Sequence, residues 1–170
     1  MAEPVRTVRE RFSVNEGQYL IIGDVDKGPD DDHAPNGIIR AAEDGAVIYT
    51  GLTLGDIWLR LELWDAQPPL DTNGWDDVGE VTYTATMPAR PCAVDGDSPD
   101  VFPDLAFAGP GTYRIRISTL GRDAGHQADV IEAHEDPVEE HRIQVWPAPA
   151  GTDLLHKASD TIGAHLRKQQ

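Results

Sequence analysis

Residues 56–64, Asp-Ile-Trp-Leu-Arg-Leu-Glu-Leu-Trp, alternate strictly between two kinds of side chain, and this period of two limits the fold more than any other feature. Ile57, Leu59, Leu61 and Leu63 share one face, and Trp58, Arg60, Glu62 and Trp64 share the other. Successive side chains of a β-strand point to opposite sides, so the segment is a strand with one core face and one wetter face. Residues 112–118 repeat the pattern, with Tyr113, Ile115 and Ile117 on one side and Arg114 and Arg116 on the other. Val81, Tyr83 and Ala85 alternate with Thr82, Thr84 and Thr86, and Ile143 and Val145 alternate with Arg142, Gln144 and Trp146. Residues 6–14, 18–23 and 46–50 are shorter candidates. Glycine and proline punctuate these runs, as in Lys27-Gly-Pro, Ala34-Pro-Asn-Gly, Gln67-Pro-Pro and Ala108-Gly-Pro-Gly. Many short alternating strands joined by such turns predict a mainly β protein, an antiparallel β-sandwich or jelly roll spanning residues 1–150, with a closed barrel as the alternative.

The last twenty residues change character. Trp146-Pro-Ala-Pro-Ala-Gly151 stops the final strand. Thr152 suits an N-cap and Asp153 a first helical turn. Leu155, Ala158, Ile162 and Leu166 make one helical stripe, which predicts a short helix over about 153–167 within a tail of residues 151–170.

Charge is gathered rather than spread. The chain has 30 Asp and Glu against 14 Lys and Arg, a net charge of −16. Twenty of those acids fall in the windows 24–32, 65–80, 95–104 and 129–140, which together hold a single base, Lys27. The windows coincide mostly with the expected connections. A field of this sign repels nucleic acid and anionic membranes and attracts cations or basic proteins. The 170 residues suffice for one domain with its own core. A single cysteine, Cys92, excludes an internal disulfide. Residues 1–10 are charged and unlike a signal peptide, and no apolar run approaches a membrane span, so the expected location is the cytoplasm.

Residues able to carry chemistry were sought by type and spacing. The strongest metal candidate is Asp24, Asp26, Asp30, Asp31 and Asp32, an acidic loop of the kind that holds calcium on some β-sandwiches. It fails the EF-hand pattern, since Gly28 and Pro29 stand fifth and sixth and Pro35 twelfth. No other cofactor is implied. His134 and His141 have no recognised ligand spacing, and Pro137 breaks any helix between them. No Gly-x-Ser-x-Gly, phosphate-binding or dinucleotide motif occurs, so no catalytic residue is assigned. Arg60, Arg114, Arg116 and Arg142 fall on outward strand faces, where they pair across strands with Glu62 and its neighbours or form an anion site. Trp58, Trp64, Trp75 and Trp146 are either covered by further structure or available as interface anchors.

The order of segments resembles the competence protein J (ComJ) family of small bacterial proteins, inhibitors of a DNA-entry nuclease. The likeness is carried by Gly17-Gln-Tyr-Leu-Ile21, Asn36-Gly-Ile-Ile-Arg-Ala-Ala-Glu-Asp-Gly-Ala46, Gly109-Pro-Gly-Thr-Tyr-Arg-Ile-Arg-Ile117 and Val145-Trp-Pro-Ala-Pro149. It extends over roughly residues 10–149, with Asp24–His33 and 152–170 as additions. The resemblance implies a non-enzymatic protein that binds a nuclease. On that basis carboxylates from residues 24–32 or 75–80 are expected to reach the partner, with Trp75, Asp76, Asp77 and Glu80 as the expected partner-binding residues, the acids imitating phosphate charge and the indole serving as apolar anchor. The alternative function is a calcium- or small-ligand-binding sandwich that uses its acidic loops.

Overall fold

The computed structural model describes residues 2–27 and 34–169. Its strands are β1 (Arg6–Val14), β2 (Gln18–Ile22), β3 (Ile39–Ala42), β4 (Gly45–Tyr49), β5 (Gly55–Leu63), β6 (Asp77–Ala85), β7 (Arg90–Cys92), β8 (Gly111–Leu120), β9 (Glu140–Pro147) and β10 (Leu154–Ala158). Its helices are α1 (Arg122–Ala128) and α2 (Thr161–Lys168). Six strands form one sheet in the order β1-β5-β9-β8-β6-β10, and four form a second in the order β3-β4-β2-β7. All pairings are antiparallel except β5 with β9.

The expected sandwich is therefore present, and the alternation chooses its inner face. Ile57, Leu59, Leu61 and Leu63 from β5, Tyr113, Ile115 and Ile117 from β8, and Ile143 and Val145 from β9 are all buried. They meet Tyr19, Ile21, Ile39 and Ile48 from the smaller sheet in one core cluster. Each such aliphatic side chain contributes about 1.5–3 kcal/mol by leaving water, which is why the two-residue period is enforced along whole strands.

The C-terminal segment departs from the expected helix over 153–167. Residues 154–158 form β10 instead, paired with Asp77–Glu80 of β6, and the helix begins only at Thr161. Its N-cap is Asp160, whose Oδ1 accepts the Gly163 amide proton at 2.6 Å, and not Thr152. The helical stripe was genuine in Ile162 and Leu166. For Leu154 and Leu155, the hydrogen bonds offered by the edge of β6 outweigh a local helical preference, which amounts to only a few tenths of a kcal/mol (about 0.2–0.7) per residue.

A buried polar cluster ties this tail down. The Arg122 side chain is fully enclosed. It donates to both carboxylate oxygens of Asp160 at 2.7 and 2.8 Å, to Asp77 at 3.2 Å and to the Gly37 carbonyl at 2.7 Å. Asp77 also accepts the amide protons of Ser159 and Asp160 at 2.7 and 2.9 Å. One guanidinium thus links α1, β6, the turn before β3 and the start of α2. Nearby, Glu139, His141 and Tyr19 form a second enclosed group. His141 Nε2 lies 2.6 Å from the Glu139 carboxylate, and its Nδ1 lies 2.9 Å from the Tyr19 hydroxyl. Burial pushes the Tyr19 pKa well up, and the charge of Glu139 adds to the effect, so the phenol keeps its proton. Glu139 also accepts from the Gly51 and Leu52 amides, which pins the β4–β5 connection to the start of β9.

Candidate partner-binding surface

The residues expected to meet a partner lie at and beneath the outer face of the six-stranded sheet, and that face is largely covered. The connection from β5 to β6 crosses it. Arg116 donates to the Pro68 and Pro69 carbonyls at 3.2 Å each, and Arg142 donates to the Asp71 carbonyl at 3.0 Å. The Arg142 guanidinium lies 4.9 Å from the centre of the Trp75 ring, and that of Arg116 lies 5.1 Å from Trp146. Trp64 donates its indole proton to Glu62 at 3.0 Å, and Trp58 carries Arg9 at 4.2 Å. The strand arginines and tryptophans therefore contact one another and the crossing segment, although the buried Arg142 Nε has no hydrogen-bond partner among the described residues.

This geometry corrects the expected partner-binding set. Asp77 is fully buried on Arg122, with Arg167 at 3.4 Å. Glu80 is buried between Arg114 and Arg116, both at 3.2 Å, and His156 at 3.0 Å. Neither carboxylate presents charge to an incoming cleft, because each is the counter-ion of arginines brought next to it by the fold. Trp75 is half-buried, and Asp76 is half-buried and accepts the Gly121 amide proton at 2.9 Å.

Glu80 gives the face a pH dependence. Burial alone would raise its pKa, but its contacts with His156, Arg116 and Arg114 outweigh burial and hold the carboxyl below its ordinary range. Its contribution is thus fully present above the usual carboxylate pKa and is lost as pH falls through the lowered folded value. Glu80→Gln is expected to lower stability by about 2 kcal/mol at neutral pH. The gap from wild type should narrow below about pH 4, as read from thermal midpoints across a pH series.

Of the candidate calcium ligands, Asp30, Asp31 and Asp32 lie outside the described residues. Asp24 Oδ1 accepts the Asp26 amide proton at 3.0 Å and so closes a local turn. Among the described residues no three His, Cys, Asp or Glu side chains converge as metal ligands. No helix among them is long and apolar enough to cross a membrane.

The outer face of the four-stranded sheet is different in kind. In β2, Tyr19 and Ile21 point into the core, so Leu20 and Ile22 point out, where they are only half-buried. Register places Cys92, Leu20 and Val47 in one cross-strand row and Arg90, Ile22 and Gly45 in the next. A hollow of about 460 Å3 opens here, lined by Ile22, Val25, Pro88, Arg90, Cys92, Gly96 and Ser98. A second, of about 200 Å3, shares Ile22 and Val25 and continues over Leu20, Ala46 and Val47. Val25 is 82 % exposed between them.

Two acidic windows meet at this face. Asp24 and Asp26 flank Val25 in sequence. Across the hollow, residues 93–98 form a turn in which Gly96, at φ +96°, donates to Ala93, and Asp97 donates to Asp95 Oδ1. Burial pushes the Cys92 thiol pKa up, and the charges of Asp95 and Asp97 push it further, which marks their proximity. The cations along the hollows are drawn aside, Arg90 toward Asp100 at 3.7 Å and Lys27 onto Glu43 at 2.7 Å. Sequence reasoning passed over Leu20, Ile22, Val25 and Val47. A signal existed: residues 19–22, Tyr-Leu-Ile-Ile, are continuously apolar and leave β2 without a polar face.

No protein-family model matches the chain, and no curated protein does. Two solved structures are similar. One is the crystal structure of ComJ, inhibitor of the DNA degrading activity of NucA, from Bacillus subtilis, with a TM-score of 0.55 and 11 % identity over 87 % of this chain and 99 % of that one. The other is described as crocagin biosynthetic gene J, with a TM-score of 0.51 and 14 % identity over 85 % of this chain and 98 % of that one. The chain has a ComJ-like fold.

Proposed function

We propose that this chain is a non-enzymatic binding protein that neutralises a basic protein partner, a nuclease being the leading case. The observation that carries this reading is the segregation of charge. Arg114, Arg116 and Arg122 are turned into the protein, whereas Asp26, Asp95, Asp97, Asp100, Asp129, Glu132, Glu135 and Asp136 stand exposed on connections. A fold does not need acidic loops, and a surface of this sign speeds encounter with a cationic partner. The ComJ-like fold supports the same reading, because ComJ is an inhibitor of a DNA-degrading protein. The groups that could be mistaken for catalytic machinery, Tyr19, His141 and Glu139, are enclosed and saturated with one another.

The test is calorimetric titration of the protein into NucA and into a basic protein that is not a nuclease, over a series of salt concentrations. Association that weakens steeply with salt, together with loss of DNA degradation by NucA, is the expected result. Absence of association with either protein at low ionic strength overturns the proposal.

A further inference from the structure

We infer that the outer face of the four-stranded sheet is where the basic partner docks, through a segment that presents one aliphatic side chain between lysines or arginines. This inference rests on the reading above that the partner is cationic. The two faces of the sandwich are inverted with respect to ordinary surface chemistry. The charged face, that of the six-stranded sheet, is crossed by residues 64–76, and its Arg114 and Arg116 are paired with the buried Glu80. Among the described residues, the face of the smaller sheet, with Leu20, Ile22 and Val47 pointing out and Arg40 in the Val47 row, carries open hollows.

The floor of the larger hollow is apolar, built from Ile22, Pro88 and Cys92, with Val25 standing over its edge. Its volume of about 460 Å3 lies within the roughly 300–1,000 Å3 of ligand-sized clefts. An apolar floor selects an aliphatic side chain by excluding water. The rim selects its neighbours: Asp24 and Asp26 flank the lining residue Val25 in sequence, and Asp95 and Asp97 flank Gly96, while Arg90 is the charged residue of the lining itself. Arg90 and Lys27 at the hollows lie 3.7 Å from Asp100 and 2.7 Å from Glu43, so these two cations are matched by two further acids and the surroundings keep a net negative charge. An apolar anchor ringed by charge of the opposite sign is the arrangement in which a buried contact gives affinity and the rim gives orientation and encounter rate.

Three variants separate the site from general electrostatics. Val25→Ser removes the exposed apolar side chain without changing charge. Asp95→Asn with Asp97→Asn removes two rim charges while keeping an Oδ1 acceptor for the 93–98 turn. Glu3→Gln with Glu10→Gln removes the same charge from exposed positions elsewhere. With NucA as probe, the first two are expected to weaken binding about tenfold, and the third less than about twofold. A short polylysine peptide with one central leucine should bind more tightly than its all-lysine counterpart. Cys92, the single thiol, lines the hollow, so its alkylation by a maleimide should slow when the partner is bound. If wild type binds NucA but Val25→Ser binds equally well and Cys92 is not protected, the docking site is refuted and the basic-partner reading stands. If wild type binds neither NucA nor any other basic protein, both fall together.

Discussion

Arg122→Met is expected to destabilise the protein by about 4 kcal/mol in urea denaturation, enough to unfold a domain of ordinary stability. The replacement fits the space of the stem but leaves Asp160 buried without its counter-ion and Asp77 with Arg167 alone, and removes the donor to the Gly37 carbonyl. Leaving buried carboxylates unpaired costs far more than the pair itself contributes when intact. A second substitution isolates that cause. Asp160→Asn keeps the Oδ1 that caps α2 but discards the orphaned charge. The Arg122→Met/Asp160→Asn protein should therefore be more stable than Arg122→Met alone, although Asp160→Asn in the wild-type background lowers stability. Simple additivity of the two losses would show that packing, and not uncompensated charge, is what Arg122 supplies.

Gly51→Ala is expected to cost about 3 kcal/mol, although it adds a single methyl group. A Cβ at Gly51 would overlap the carbonyl oxygen and carbon of Arg122, which are backbone atoms fixed by the anchored guanidinium. The Gly51 amide donates to Glu139 at 3.1 Å, so the glycine cannot retreat without giving up that bond. Gly74→Ala provides the comparison. Gly74 has φ +79° but open space around it, so alanine there meets only the backbone penalty of about 1–2 kcal/mol. Thermal melts of the two variants side by side read the difference. Equal midpoints would mean that the contact between residues 51 and 122 is loose in solution.

The core was legible because it depends on parity alone. Once Ile57, Leu59, Leu61 and Leu63 were assigned to one face, a sandwich left few other choices. What escaped depended on residues far apart in the chain. Asp77 and Glu80 looked like an acidic turn beside Trp75, but their partners Arg122 and Arg116 lie 45 and 36 positions away. Spacing within a window cannot distinguish a solvated carboxylate from a buried counter-ion. The tail was misread for a related reason. Leu154 and Leu155 fit a helical stripe, and only the open edge of β6 makes them a strand. The candidate docking face is hard to read from sequence for the opposite reason, since it is defined by apolar residues in β2 and β4 and not by charge.

The parallel pairing of β5 with β9 has a consequence for how the chain is made. It sits in the interior of the larger sheet and joins Trp58–Leu63 to Glu140–Val145, about 80 residues later in the sequence. During synthesis β5 and β1 leave the ribosome long before β9 exists, so Leu59, Leu61 and Leu63 wait beside an empty slot. β8 and β6 can pair with each other early, but they cannot be stitched to β5 until β9 arrives between them. The two halves of the sheet are thus expected to form as separate ribbons and join late, which makes folding slow for the size of the protein and leaves the nascent chain dependent on the arrival of β9.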